Sequence, residues 1–251
     1  MWPSYVINLA GNTQRMDNSA RQLDAAGLPW ERIEACNGWE LADDRIAEVY
    51  DAERNARKGK QPLVRPEIGC YLSHIAAWER IAENDAEGGF IFEDDFEADD
   101  TLGEKLALLS GSADDWDMVK LFSFDTEPPL EWEQPLGPYR IGLPYRVPTC
   151  LLGYGLTRKA AAHLAKHARP FFRPVDEDQK FVWETGLRVA LVLPPPLLVG
   201  DQTTVTGTIG AERRASRSLQ GAVSRTLHNL LYGLDYSWRL WRHRRAERKK
   251  P

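Results

Sequence analysis

Residues 89–95 constrain the fold more than any other stretch of this chain. Residues 89–92 are glycine and apolar, and they lead directly into three consecutive carboxylates, Glu93, Asp94 and Asp95. A short apolar run of this kind predicts a strand buried on both faces. Since unpaired charges are costly to bury, the three acids must follow the end of that strand. In open α/β sheets, ligands bind at such strand ends.

The acidic triplet has two interpretations. Adjacent carboxylates repel one another unless a cation lies between them, and the hard divalent ions Mg²⁺ and Mn²⁺ bind carboxylate oxygens. The alternative is a solvated acidic turn that caps the following helix. The position directly after a buried strand favours the cation-binding interpretation.

The rest of the pattern predicts an α/β fold. Apolar runs indicate strands at residues 2–9, 118–122, 150–156 and 187–193, and helical periodicity lies between most of them. This alternation favours a mostly parallel sheet with helices on both faces. One helix is predicted over residues 41–54. Six prolines within residues 128–148 predict an irregular excursion with room for a hairpin.

Composition indicates a soluble protein in a reducing compartment. The chain has 251 residues, of which 43% are apolar and 27% charged, as in ordinary globular proteins. Its three cysteines, Cys36, Cys70 and Cys150, are odd in number and lack CxxC spacing, which favours free thiols. No signal-peptide pattern precedes the first strand, and no apolar run is long enough to span a bilayer. We therefore expect a cytoplasmic protein.

A strong helix is predicted from Pro66, since proline suits a first helical turn. Ile68, Leu72 and Ile75 form its apolar face, and His74 lies on a different face. A lone helix histidine is more commonly a surface or satisfied core residue than a functional one.

The C-terminal tail differs in charge from the rest. Residues 212–251 carry eleven Lys and Arg but three Asp and Glu, a net charge of +8, whereas the remainder carries −13. Apolar side chains recur in the tail at three- and four-residue steps: Leu219, Val223, Leu227, Leu230, Leu234, Trp238 and Trp241. Such a helix either docks on the domain or lies on an anionic membrane surface. The apolar stripe fits a membrane better than a nucleic acid, and we expect no nucleic-acid partner.

Three segments match one known family. They are residues 6–9 followed by Arg15, residues 67–74 followed by Trp78, and residues 92–95. Together they resemble glycosyltransferase family 25, which includes bacterial lipooligosaccharide galactosyltransferases and the collagen galactosyltransferases. Weaker similarity extends the likeness over roughly residues 4–202, at residues 35–38, 115–121, 154–158 and 174–176.

The resemblance implies a GT-A fold, a Rossmann-like nucleotide-sugar-binding domain over residues 1–211, followed by the helical tail at residues 212–251. It also implies a divalent cation, Mn²⁺ or Mg²⁺, held by Glu93, Asp94 and Asp95 and bridging to the diphosphate of a UDP-sugar. Asp95 lies furthest from the buried strand and is expected to be the direct ligand. Glu93 has the same side-chain parity and is the next candidate. The residues expected to contact the donor are Asn8, Leu9, Arg15, Asn37, Ser73, His74 and Lys120.

An inverting transfer also needs a base within hydrogen-bond reach of the acceptor hydroxyl. Asp176 follows a proline, opens a predicted helix and comes after the irregular segment expected to shape the acceptor side. It is the first candidate, with Glu177 and Asp178 as alternatives. The alternative to a catalytic role for Asp176 is a structural one, as the N-cap of that helix.

The expected activity is metal-dependent transfer of a hexose, galactose in particular, from a UDP-sugar to lipooligosaccharide or another bacterial surface glycan. Two departures from the family pattern bear on donor and acceptor: Asn37 replaces the usual aspartate, and residues 206–209 replace a Ser-Asp-Ile motif. The alternatives are a non-catalytic nucleotide-sugar- or glycan-binding relative and a nucleotide-sugar hydrolase. An acceptor carried on lipid predicts peripheral association with the inner face of the cytoplasmic membrane.

Overall fold

The computed structural model describes residues 1–200 and 222–248, with side chains omitted for residues 222–228. The motif at residues 206–209, the apolar residue Leu219 and the predicted domain boundary at residues 211–212 lie outside the described residues. Val223 and Leu227 lie in the described backbone only.

The described residues form ten strands and nine helices. The strands are β1 Ser4–Asn8, β2 Trp30–Glu34, β3 Gly88–Glu93, β4 Phe96–Ala98, β5 Met118–Lys120, β6 Leu130–Leu136, β7 Tyr139–Pro144, β8 Gly153–Thr157, β9 Val189–Leu193 and β10 Leu197–Val199. The helices are α1 Thr13–Ala25, α2 Asp43–Val49, α3 Ala52–Lys58, α4 Arg65–Glu83, α5 Leu102–Ser110, α6 Arg158–His167, α7 Val175–Asp178, α8 Val182–Thr185 and α9 Ala222–Glu247. A 3₁₀ turn covers Gly38–Glu40.

Eight strands form one sheet in the order β2-β1-β3-β8-β5-β9-β7-β6. β7 and β8 run antiparallel to the other six strands, and each forms antiparallel pairs with its neighbours. The other six strands share one direction. A second, two-stranded sheet pairs β4 with β10. The predicted α/β architecture with a mostly parallel sheet is confirmed.

Strand β3 is buried on both faces, as its composition predicts. Ile91 belongs to the apolar layer that includes residues of α4 and α6, whereas Phe90 and Phe92 belong to the opposite layer with residues of α1 and α5. Fully burying one such side chain stabilises the fold by roughly 1.5–3 kcal/mol. The strand therefore anchors the acids at its end to the most buried part of the molecule.

One local prediction needs correction, and the hairpin that another one allowed is present. The single helix expected over residues 41–54 is two helices, α2 and α3, because Tyr50 leaves the helix to form a bridge with Phe171 and the side chain of Asp51 accepts a hydrogen bond from Arg54 N at the start of α3. The excursion at residues 128–148 contains the hairpin β6–β7, which extends the main sheet at its edge through β9. Pairing with residues distant in the chain decides both results: the bridge to Phe171 divides the helix, and pairing with β9 places the hairpin in the sheet.

Helix α9 docks on the domain through one face only. Tyr236, Leu240 and Arg244 are buried, and Arg244 donates hydrogen bonds to the carbonyls of Pro144 and Tyr145. The described members of the predicted apolar stripe lie on the other face and are 48–59% exposed: Leu230, Leu234, Trp238 and Trp241. Within the described residues, no helix is both long and apolar enough to cross a bilayer.

Candidate active site

A cavity of about 580 Å³ lies at the carboxyl end of β3. Glu93 reaches it from the end of β3, Glu67 and Cys70 from α4, Cys150 from the segment before β8, and Asp176 from α7. Parallel strands end at the same edge of a sheet, and that edge is the usual ligand site in α/β folds. The structure thus brings the two predicted acidic clusters to one cavity.

Glu93 is held by a chain of hydrogen bonds. Its Oε1 lies 3.2 Å from His74 Nε2, and His74 Nδ1 lies 2.8 Å from the Tyr154 hydroxyl. Trp78 Nε1 donates to that hydroxyl at 2.8 Å. Three of these side chains are buried, while the side chain of Glu93 is 31% exposed. The chain orients one carboxylate toward the cavity from a rigid base.

Asp94 points away from this cavity. Asn8 donates to its Oδ2 at 2.6 Å, and Arg15 donates to its Oδ1 at 3.1 Å. Successive side chains along a strand point to opposite faces, and the Asp94 side chain contacts Asn8 of β1 and Arg15 of α1. The two predicted donor-binding residues Asn8 and Arg15 therefore hold Asp94 in place.

Asp95 follows Asp94 in the turn after β3. Burial raises the pKa of the Cys70 thiol well above its ordinary value, and the negative charges of Glu93, Asp176 and Asp95 raise it further. Of the two acids Glu93 and Asp95, only Glu93 lies among the described residues that line the cavity. That Asp95 shares a side with Glu93 stays a prediction from side-chain parity.

Asp176 lies in the first turn of α7 and does not cap that helix. Pro174 is the N-cap residue of α7, and Asp176 instead accepts a hydrogen bond from the backbone N–H of Cys150 at 3.2 Å. Cys150 has φ of 71°, a left-handed conformation that costs a residue with a side chain about 1–2 kcal/mol. Such strained residues cluster at functional sites. The N-cap alternative for Asp176 is therefore wrong in this structure.

Lys120 lies beneath the same segment. Its ammonium donates a hydrogen bond to the carbonyl of Cys150 and is fully buried. Burial lowers its pKa from 10.5 to about 8, against the opposing effect of negative groups that include Asp176 and Glu93. Lys120 therefore carries a proton at neutral pH and supplies positive charge behind the two carboxylates.

Glu177 and Asp178 have structural partners. Glu177 pairs with Lys60 at 2.6 Å and Lys180 at 2.8 Å. Burial would raise the pKa of Glu177, but the two lysines outweigh that effect and lower it. Asp178 accepts hydrogen bonds from Tyr71 and Arg173, both at 2.8 Å. Both acids anchor α7, which leaves Asp176 as the acid of this cluster best placed to act as a base.

The other predicted donor contacts are more peripheral. Ser73 accepts a hydrogen bond from the backbone of Cys36 and donates to Gly69, so it joins the 3₁₀ turn to α4. Asn37 caps that turn by accepting from Trp39 and donating to Glu40. Leu9 is half-buried at the end of β1. None of these three is among the described residues that line the cavity.

Sequence reasoning missed four residues of the site. Cys70 and Cys150 were predicted only as free thiols, Tyr154 lies within the weaker family similarity at residues 154–158, and Lys60 belongs to no predicted site. Cys70 precedes His74 by four residues, which puts both on one helix face. This spacing was the one sequence signal that could have linked Cys70 to the site. The other contacts join residues far apart in sequence, for example Tyr154 and His74.

We expect Lys120 to make stability rise with pH. The folded protein releases this proton near pH 8, whereas the unfolded chain holds it to about pH 10.5, so the unfolded state binds more protons between these values. The free energy of unfolding of the wild type should therefore increase relative to Lys120→Met by about 3 kcal/mol across that range. Urea unfolding at pH 8, 9 and 10 measures it.

The matched control is Lys159→Met, because Lys159 is exposed on α6. Its difference from the wild type should not change with pH. A Lys120→Met difference that is equally flat would show that the folded protein holds the Lys120 proton as tightly as the unfolded chain.

The comparisons with known proteins identify the class of protein. The family described as "Glycosyltransferase family 25 (LPS biosynthesis protein)" matches residues 1–128. A strand-end carboxylate facing a cavity at the sheet edge fits a glycosyltransferase, and the chain belongs to glycosyltransferase family 25.

Three relatives show the range of the similarity. A "Glycosyltransferase 25 family member" of Anopheles gambiae is 34% identical over 97 residues, 36% of this chain and 16% of its own. "Procollagen galactosyltransferase 2" of Homo sapiens is 28% identical over 123 residues, 46% of this chain and 20% of its own. "Inactive glycosyltransferase 25 family member 3" of Homo sapiens is 26% identical over 183 residues, 69% of this chain and 30% of its own. The matched regions thus span less than a third of each relative.

Among solved structures, mannose-1-phosphate geranyltransferase from Thermus thermophilus is similar with a TM-score of 0.40 and 15% identity, covering 86% of this chain and 79% of that one. A similarity of this size carries no conclusion about activity.

Proposed function

We propose that this protein transfers a hexose, galactose in particular, from a UDP-sugar to a hydroxyl of a glycan acceptor, with inversion. The observation that carries the proposal is that Glu93 and Asp176, from strands and helices far apart in sequence, line one cavity at the sheet edge. The name of the human procollagen galactosyltransferase supports galactose as the sugar. A bacterial surface glycan such as lipooligosaccharide is the proposed acceptor, from the family's description as an LPS biosynthesis protein.

The carboxylates fit a hard divalent cation. Mg²⁺ typically binds through one or two carboxylates, with substrate phosphates and water completing its shell. Glu93 and Asp95 are the proposed pair, and Asp94 accepts hydrogen bonds from Asn8 and Arg15. Mn²⁺ or Mg²⁺ bound there would stabilise the negative charge that develops on the departing diphosphate. The chain of Trp78, Tyr154 and His74 keeps Glu93 in position for that role.

Asp176 is the proposed base. The Cys150 N–H holds one carboxylate oxygen, and the other is available to accept the proton of the acceptor hydroxyl. As the hydroxyl oxygen attacks the anomeric carbon, its proton passes to Asp176 and the diphosphate leaves with the bonding electrons.

The main alternative is a non-catalytic relative, because one similar human protein is named as inactive. A panel of UDP-sugars tested for Mn²⁺-dependent UDP release, with and without a glycan acceptor, separates the possibilities. Acceptor-dependent release from UDP-galactose supports the proposal. Release of free sugar without acceptor indicates a hydrolase, and binding without turnover with any donor indicates the non-catalytic relative.

We further propose that the exposed face of α9 binds an anionic membrane surface, where a lipid-linked acceptor is confined. Arg242 lies over the ring of Trp238 at 4.7 Å, and Arg245 lies over the ring of Trp241 at 5.2 Å. Cationic side chains beside exposed tryptophans suit the interface between anionic headgroups and acyl chains. Each basic residue near such a surface contributes on the order of 1 kcal/mol.

Replacing three residues of this face with glutamine (Leu234→Gln, Trp238→Gln and Trp241→Gln) should abolish co-sedimentation with anionic vesicles. The helix should remain docked, because these side chains are about half-exposed or more and the buried contacts of Tyr236, Leu240 and Arg244 are unchanged. High salt should weaken binding of the wild type, since the electrostatic attraction is screened.

The matched control replaces three exposed apolar residues elsewhere with glutamine: Trp39, Phe124 and Leu198. It should bind vesicles like the wild type. Failure of the wild type to bind vesicles at low salt would refute the membrane proposal, as would equal losses in the two triple variants.

A further inference from the structure

Three potential metal ligands of different chemistry meet at the floor of the cavity. One ligand atom each from Cys70, His74 and Glu93 lies within 4.8 Å of the others. Cys70 and His74 are four residues apart on α4 and therefore share a face. Glu93 enters from β3, so two rigid elements present the three groups to one another.

This set of atoms suits zinc and not the hard cations. Mg²⁺ and Mn²⁺ prefer oxygen ligands, whereas Zn²⁺ binds thiolate, imidazole and carboxylate in tetrahedral sites. With Zn–N and Zn–O lengths of about 2.0 Å, a tetrahedral site separates its nitrogen and oxygen ligands by roughly 3.3 Å. His74 Nε2 and Glu93 Oε1 are 3.2 Å apart, so little rearrangement is needed at this pair.

The surroundings also suit a ligating histidine. Metal-bound imidazoles typically use their second ring nitrogen in a hydrogen bond that fixes the tautomer. His74 Nδ1 makes such a bond with the Tyr154 hydroxyl, which in turn accepts from Trp78 Nε1. Metal binding needs the tautomer in which Nδ1 carries the proton and Nε2 is free. Without metal, the other tautomer lets Nε2–H donate to Glu93.

We propose that Cys70, His74 and Glu93 form a zinc site with three protein ligands and a fourth position open to the cavity. Glu93 would belong to this site and to the proposed Mn²⁺ or Mg²⁺ site, so the two cations would compete. Zinc would therefore inhibit transfer. The inhibition rests on the proposed function, whereas zinc binding does not.

Binding is tested on the full chain, stripped of metal and kept reduced. Competition with a chromophoric chelator should show one equivalent of tightly bound Zn²⁺. Co²⁺ should give the intense visible bands of tetrahedral coordination together with a thiolate-to-metal charge-transfer band. Cys70→Ser and His74→Gln should each weaken Zn²⁺ binding by at least about tenfold, and Cys70→Ser should remove the charge-transfer band.

Two controls isolate the site. Cys150→Ser removes a different thiol from the same cavity and should leave both metals bound as in the wild type. Tyr154→Phe keeps all three proposed ligands but removes the hydroxyl that contacts His74 Nδ1 and accepts from Trp78 Nε1. It should weaken Zn²⁺ binding by about 10–100-fold, as the loss of other supporting contacts does. Thermal unfolding without metal shows which variants remain folded.

Wild-type affinity for Zn²⁺ in folded Cys70→Ser would overturn the proposal, as would octahedral Co²⁺ spectra of the wild type. If zinc binds through Cys70 but no donor is turned over, the transferase proposal fails and the zinc site stands. If transfer occurs but Zn²⁺ neither binds nor inhibits, the zinc site fails and the transferase proposal stands.

Discussion

Glu93→Gln is expected to lower kcat/KM for sugar transfer by at least about a hundredfold. A cation at the leaving diphosphate supplies several kcal/mol of charge stabilisation, and about 1.4 kcal/mol corresponds to a factor of ten in rate. Glutamine keeps the shape of the side chain and an oxygen near His74 but removes the charge. Calorimetric titration of UDP in the presence of Mn²⁺ should show that metal-dependent binding is lost with the activity.

The neighbouring acids provide matched controls. Asp95→Asn should also impair Mn²⁺-dependent UDP binding, but less than Glu93→Gln, because only Glu93 of the two lines the cavity among the described residues. This order reverses the one expected from the sequence, which placed Asp95 first. Asp94→Asn should chiefly lower the thermal stability, because Asp94 is paired with Arg15 and Asn8. Unchanged Mn²⁺–UDP binding by Glu93→Gln would refute the assignment.

Asp176→Asn is expected to reduce kcat by about 10²–10⁴-fold while leaving donor binding intact. A general base contributes a factor of that size, and an amide cannot take the proton of the acceptor hydroxyl. The asparagine oxygen can still accept the hydrogen bond from the backbone of Cys150, so the fold of this segment should be kept. Transfer kinetics at saturating acceptor, together with the Kd for UDP and Mn²⁺, measure the two effects separately.

Glu177→Gln is the control for this prediction. Glu177 is one residue away in the same acidic cluster but is paired with Lys60 and Lys180. Its substitution should lower the melting temperature but change kcat little. If the kcat of Asp176→Asn stays within about threefold of the wild type, Asp176 is not the base. An equal loss in the two variants would indicate a general disturbance of α7.

Local pattern predicted much of the fold. The apolar run before Glu93 correctly indicated a strand buried on both faces, and Pro66 correctly marked the beginning of a long helix. The spacing of Leu230, Leu234, Trp238 and Trp241 correctly indicated an amphipathic helix. These features could be predicted because side-chain periodicity and burial depend on neighbours a few residues away.

Other features depended on partners that are distant in the chain. The pattern indicated that three acids follow a strand, but contact with Asn8 and Arg15 decides that Asp94 turns away from the cavity. The pattern left Asp176 as either a helix cap or a base, and its bond to Cys150 excludes the cap. The bridge between Tyr50 and Phe171 divides a stretch that is helical by local preference.

The C-terminal helix shows the same division. Its sequence determined that one face is apolar and rich in tryptophan. It did not determine whether that face packs on the domain or faces outward. The structure has the helix docked through Tyr236, Leu240 and Arg244, with the tryptophan face exposed. Sequence periodicity determines which residues share a face of a helix, whereas only the shape and chemistry of the surface beneath decide which face is buried.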